Sequence, residues 1–433
     1  VKALFKYFLF IPLLFVSFRA GFRTPWGPVF TLAEEVFIVL LILFFFSQLL
    51  AWTVGKDTPG KYELLIIFLL ILPLFSAVNS YFHFGQPLIY GLATTRNFLL
   101  LISGLLFYYL LKHNVITLDH LKNIFLAAAW VTLSLFLYFY FTINPEKYAD
   151  SFFIGYNPLK GGYIFKFQIP LLVFALLYYT FSFILKHRVI DLILSLPFYY
   201  MMIFIRQDRS IIIMCLLVIA IFFFRKIYVR AMLRYTVMLI ITLLFALFII
   251  EITDYRPPQT TLTKFYNLWL TVAGQETLES ATNIRRIQVM RVWPDIVSNI
   301  WLGLGDISPQ WKGGFARIYG YFYPSDIGLL GVIYLFGILG LLLLMTQYLL
   351  GYSISRKLKE DNLFIITCCY FLLFSFLDSF TSGQMVFFPA NSMIPLGVIY
   401  YSYRIEQSVA LDHVTTAKIS SSSLPLPFSH PKV

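Results

Sequence analysis

Long apolar stretches recur along this chain with no polar beat inside them, as in Val36 to Leu50 and Leu239 to Ile250. A soluble amphipathic helix places its apolar residues about every 3.6 positions and a half-buried strand every second one. Runs that are apolar on every face therefore mark segments surrounded by hydrocarbon or by each other. Transmembrane strands would alternate polar and apolar residues over about ten positions, so the pattern excludes a barrel and leaves helices.

Read this way, the runs predict twelve helices, near 3–18, 29–52, 63–82, 88–111, 121–142, 162–185, 189–205, 210–224, 235–251, 325–350, 363–382 and 386–402. The first also fits a signal-peptide core or an interfacial helix, because Lys2 and Lys6 precede a brief apolar run. It shows no small-residue cleavage site and is read as a span. The expected fold class is an all-α polytopic membrane protein with about twelve transmembrane helices and one long extracytoplasmic loop. Residues 1–251 would hold the first nine helices, 252–324 the long loop, 325–402 the last three helices, and 403–433 a disordered cytoplasmic tail rich in Ser and Pro. No sequence repeat is evident.

Composition agrees. Of 433 residues, 59% are hydrophobic and only 12% charged, about half the charge of a soluble domain. The three cysteines, Cys215, Cys368 and Cys369, fall inside apolar runs, which makes them packing residues rather than a disulfide framework or a metal cluster. The net charge of +12 is scattered over short loops, with no basic soluble domain, so nucleic acid is not an expected partner. Membrane lipids and an anionic lipid-linked substrate fit better. With the amino terminus inside, every inner loop is basic, for example Lys56 with Lys61, Lys186 with Arg188, and Arg356 with Lys357 and Lys359. This bias places both termini in the cytoplasm.

Arginine alone runs the other way. Of the 16 arginines, six fall in inner loops and ten on the outer side. The long loop holds Arg285, Arg286 and Arg291 in TNIRRIQVMRVWPDIVSNIW, where Ile284, Ile287, Val292 and Ile296 recur at a helical rhythm. This segment reads as a helix at the membrane's outer face, either a solvated basic helix near headgroups or a phosphate clamp. A second group is IRQDRS, with Arg206 and Arg209 in a tight link between two apolar segments of about 16 residues, each spanning about 24 Å, less than the hydrocarbon core. Guanidiniums at that depth need a carboxylate such as Asp208, a polar cavity or an anionic ligand. Arg96, in the outer part of its helix, is a third such residue. Arginine suits a diphosphate because its planar donors bind phosphate oxygens in pairs and stay protonated. After the loop, Ser325 or Asp326 would cap the following helix, a position from which Asp326 could also take a proton from a sugar hydroxyl.

These residues resemble the O-antigen ligase and polymerase family of bacterial polysaccharide assembly. The likeness lies in IRQDRSIIIMCLL, RVWPDIVSNIWLGLGDIS and SDIGLLGVIYLFGILG, together covering roughly residues 200–345. It implies a metal-independent inverting glycosyltransferase without cofactors, in the bacterial inner membrane, acting at its periplasmic face on undecaprenyl-diphosphate-linked oligosaccharide. A flippase and a chain-length regulator are implied as accessory partners. By position, Arg209 and Arg291 would hold the donor diphosphate and act in catalysis, with Arg206, Arg285 and Arg286 nearby and Asp326 at the acceptor. Ligases of the family carry a histidine where this chain has Ser325 and Asp326, and none of its six histidines lies in the long loop. The resemblance thus favours a repeat-unit polymerase over a ligase acting on lipid A-core; a polysaccharide or lipid transporter is the competing class.

Overall fold

The computed structural model describes residues 2–55, 57–148, 151–157, 162–206, 208–226, 284–359 and 362–422. The expected span at 235–251 and the first part of the long loop lie outside these residues. Among the described residues, seven helices are long and apolar enough to cross a membrane. The chain is a membrane-embedded, predominantly α-helical protein.

In chain order the helices are α1 (Lys2–Ser17), α2 (Gly27–Thr53), α3 (Lys61–Leu69), α4 (Ile71–Phe84), α5 (Leu88–Thr95), α6 (Ile102–Lys112), α7 (Leu118–Thr142), α8 (Pro170–Lys186), α9 (Val189–Tyr200), α10 (Arg209–Lys226), α11 (Ile284–Ser298), α12 (Leu329–Ser355), α13 (Leu363–Ser382) and α14 (Ala390–Ser422). Helices α3 and α4 form one span, as do α5 and α6 through the 3-10 turn Arg96–Leu101, and α9 continues through a π turn, Met201–Arg206. Helix α13 sits at the centre, with most of its side chains buried, whereas α2 is largely exposed and faces outward. The core joins α6, α8, α13 and α14. Rings of Phe125, Phe174, Phe364 and Phe371 interlock there, Phe125 and Phe174 at 4.7 Å. The three cysteines are free thiols, two of them buried.

Four local expectations need correction. Residues 162–169 do not begin a helix. Strands β1 (Ile154–Asn157) and β2 (Gly162–Phe165) form an antiparallel hairpin, and α8 starts at Pro170, whose missing N–H costs nothing in a helix's first turn. Neither Ser325 nor Asp326 caps the helix after the loop. Both lie in a 3-10 turn, Pro324–Ile327, and the cap position of α12 is Gly328, at φ +60°. On α11 the buried stripe is Gln288, Val292 and Ile296, and Ile287 is exposed. The last helix continues to Ser422 where a disordered tail from 403 was expected, since no Gly or Pro interrupts the sequence between Gly397 and Pro425. The main chain of Lys359 donates to Glu406 on this extension, at 3.3 Å.

Helix α12 is interrupted at Gly337, at φ +67°. The preceding segment fills the break: the N–H groups of Leu304 and Gly305 donate to the carbonyls of Tyr334 and Leu335 at 2.7 and 3.0 Å, and that of Ile338 donates to Ile300 at 2.8 Å. On its other side the segment is held by α4 and the turn after it. Asn79 donates to Leu302 O at 2.6 Å, Ser76 Oγ accepts from the N–H of Asp306 at 2.9 Å, and Gln86 both donates to Asp306 O and accepts from Ser308 N. A Cβ at Gly337 would collide with the carbonyl of Trp301. Gly337→Ala is expected to cost at least about 2 kcal/mol, from strain and collision together. Gly55, also at positive φ but with open space around it, is the control, at about 1 kcal/mol. Thermal unfolding in detergent compares them, and equal midpoints would refute the tight fit at the break.

Candidate functional site

Helix α1, at 16 residues, reaches about 24 Å. Phe18, just past its end, packs on Phe125 and Phe371, both well inside their own helices. The turn that follows therefore begins within the bundle, and it carries Arg19 and Arg23. Arg19 is buried, pairs with Glu34 at 2.9 Å and lies over the ring of Phe22 at 4.1 Å.

Arg23 belongs to a second group. The charges of Arg206, Asp326 and Asp208 all act on it. Arg206 ends the π turn of α9, a widened turn that re-aims its last side chain. Its guanidinium meets Asp208 at 3.3 Å, and Ser210 donates to the other oxygen of that carboxylate at 2.7 Å. Although burial opposes its charge, Asp208 is held below the usual carboxylate range by Arg206, the Ser210 hydroxyl and Arg285. The hairpin supplies Lys166. Its backbone N–H donates to Phe153 O at 2.8 Å, and its side chain crosses Gly155, which has no Cβ to block it. Burial, followed by Arg23 and Arg206, pushes the Lys166 amine below its usual range, against the pull of Asp326.

Beside this group lies a cavity lined by Gln168, Arg206, Ile211, Ser375, Asp378 and Asn391, among others. Phe167 stacks on Phe136 at 4.5 Å and so sets the path of Gln168 along its wall. Asp378 accepts hydrogen bonds from Ser382 at 3.0 Å and Thr381 at 3.5 Å. The Nε of Arg206 is buried and makes no hydrogen bond to any described residue. A buried guanidinium N–H with no acceptor costs free energy until a ligand or water accepts it. Arg23, Lys166, Arg206 and Arg285 together outnumber Asp208, Asp326 and Asp378, so the arrangement favours an anion.

The structure thus brings together Arg206, Arg285 and Asp326 from the sequence-based set. Arg209 opens α10, with its side chain outside the described part of the structure. Arg286 is exposed on α11. Arg291 donates to the carbonyl of Tyr319, whose hydroxyl in turn donates to Asp295 at 2.7 Å, so it braces the segment leading to Asp326. Arg96 pairs with Glu35 at 3.3 Å, nearer Arg19 than the cluster. Sequence reasoning missed Arg23, Lys166 and Asp378. The alternation of Tyr163, Phe165 and Phe167 was an available strand signal that would have placed Lys166 at a hairpin's end. Nothing local marks Arg23 or Asp378.

Comparison with known proteins finds no matching family model, no similar curated protein and no similar solved structure.

If the cluster binds a diphosphate, Lys166 does so only as the ammonium, and its lowered pKa brings the loss of that charge below the usual 10.5. Affinity for geranyl diphosphate should therefore fall, by roughly tenfold, as pH rises toward 10.5 and that charge is lost. In Lys166→Arg the fall should move to higher pH. Binding titrations across alkaline pH test this, and superimposable profiles for the two proteins would remove Lys166 from the site.

Proposed function

We propose that this chain is a membrane glycosyltransferase that polymerises undecaprenyl-diphosphate-linked oligosaccharide repeat units into a surface polysaccharide at the periplasmic face of a bacterial inner membrane. On this reading about twelve spans and one long extracytoplasmic loop form the scaffold, with both termini in the cytoplasm. The observation that carries the proposal is the convergence of Arg23, Lys166 and Arg206 at one end of the bundle, with the Asp326 carboxylate acting on two of them.

The chemistry follows from charge. A hydroxyl of the acceptor's terminal sugar attacks C1 of the donor's first sugar from the face opposite the diphosphate. The bond from C1 to the phosphate oxygen breaks, its electron pair leaves with undecaprenyl diphosphate, and configuration at C1 inverts. Negative charge grows on the leaving oxygen in the transition state, where preorganised cations act most strongly. Arg206, with a buried N–H still to satisfy, and Arg23 and Lys166 beside it supply that stabilisation. Asp326 orients the acceptor hydroxyl and takes its proton. Asp378, at the cavity wall, faces the same space.

A transporter is the second reading, favoured by the interrupted helix α12, since broken helices build many transport sites. Here, however, the break is filled by the chain's own residues 300–305, hydrogen-bonded to both of its sides.

Reconstitution in liposomes with defined lipid-linked repeat units separates the readings. Wild type should yield polymer; transbilayer movement without polymer supports the transporter. Arg206→Ala and Arg23→Ala should each lower chain extension by about 100-fold or more, and Asp326→Asn by about tenfold to 100-fold. Polymer of normal length from both arginine variants would overturn the diphosphate role.

A further inference from the structure

The ion pair of Arg96 and Glu35 has an unusual setting. Its side chains are 42% and 50% exposed. Yet Leu32 and Val39, one turn to either side of Glu35 on the same face of α2, are 64% and 55% exposed, and both are apolar. This is a face built for lipid. Trp26, exposed just before α2, has the character of an interfacial anchor. Glu35 lies nine residues further on, about 13 Å along the helix axis. Arg96 lies at a matching distance from the start of α5, where the helix gives way to a 3-10 turn, and it donates to Ala93 O at 2.9 Å. Charges at such depth are costly against hydrocarbon and usually mark a polar path.

Such a path leads inward from this pair. Arg96 acts electrostatically on buried Arg19. Asn97, next in sequence, donates to Glu34 at 2.7 Å and accepts from Arg19 at 3.2 Å once its amide is oriented to satisfy both. Arg19 in turn acts on Arg23, which belongs to the cation cluster. Ion pairs and hydrogen bonds therefore lead from an exposed point on the membrane-facing wall, between α2 and α5, inward to Arg19, and charge couples Arg19 through Arg23 to Arg206 at the cavity. The pair at the wall is neutral overall, and the inner end is cationic.

We propose that the wall between α2 and α5 is a lateral portal, at which Arg96, released from Glu35, takes the diphosphate headgroup of a membrane-embedded polyprenyl lipid and passes it to the Arg23–Arg206 cluster. The inference rests on the diphosphate reading of that cluster. The polyprenyl tail stays in the bilayer against Leu32 and Val39, and only the headgroup moves along the polar path. No bond is made or broken in this step. A diphosphate reaching the cluster from water does not need the portal.

The test blocks the portal and offers the anion from each side. Leu32→Cys is alkylated with a bulky maleimide; wild type treated alike reports on the native cysteines, and Leu349→Cys on exposed α12 is the remote control. Association is measured with two probes, fluorescent undecaprenyl diphosphate within the vesicles and water-soluble geranyl diphosphate added outside. Alkylated Leu32→Cys is expected to bind the embedded probe at least tenfold more slowly and the soluble probe at the wild-type rate, with the remote control unchanged for both. Equal rates for the embedded probe in blocked and control proteins overturn the portal while the diphosphate site stands. Equal slowing of both probes also overturns it, because the block then acts on the site itself. If wild type binds neither probe, the underlying diphosphate reading fails and the portal with it.

Discussion

An interrupted helix inside a membrane protein leaves N–H and carbonyl groups that lipid cannot satisfy, so something must enter the break. In α12 that something is the chain's own segment around Ile300 to Gly305, hydrogen-bonded to both sides of Gly337. Much of this end of the bundle follows from this one join. The segment is tied to α4 through Ser76 and Asn79 and to the next turn through Gln86. On its far side, Tyr334 donates its hydroxyl to Tyr319, and Tyr319 to Asp295 of α11. The position of α11, from which Arg285 acts on Asp208, and of the turn holding Asp326 are thus set by the way the break is filled. A rigid framework of this kind suits a site in which charges must be aimed before the ligand arrives.

The seven membrane-length helices among the described residues were legible because hydrocarbon imposes a strong, simple pattern, and the bounds of α13 agree with the expected 363–382. What the pattern could not show are features made by backbone geometry rather than by hydrophobicity. GVIYLFGILG reads as unbroken apolar helix, and only the collision a Cβ would suffer at Gly337 reveals the break. Aromatic Tyr163, Phe165 and Phe167 counted equally well toward a helix, so the hairpin and its Lys166 were absorbed into α8. Asp326 looked like a helix cap because capping is local, but the cap position belongs to Gly328, and the carboxylate instead acts by charge on Arg23 and Lys166. Of the candidate site, the link with Arg206 and Asp208 was visible as charge in a short apolar connection. Arg23 was visible only as one more outer arginine, since its depth depends on how short α1 is and where Phe18 packs.

Depth is also what makes the cluster chemically useful on the proposed reading. Cations at a wet surface are screened and contribute little to stabilising a leaving group. The same cations partly withdrawn from water act through a lower effective dielectric and interact more strongly with a diphosphate, but they are costly to hold together when the site is empty. The carboxylates of Asp208 and Asp326 offset part of that cost without neutralising the group. The buried Nε of Arg206 remains as a donor that the described protein does not satisfy. A ligand that supplies the missing acceptor oxygens would relieve this repulsion, so binding and stability should be coupled. This argues for the diphosphate, rather than the sugars, as the part of the substrate that the fold is built to grip. Sugars vary in shape and charge from one polysaccharide to another, whereas the diphosphate is the one group common to donor and leaving group alike.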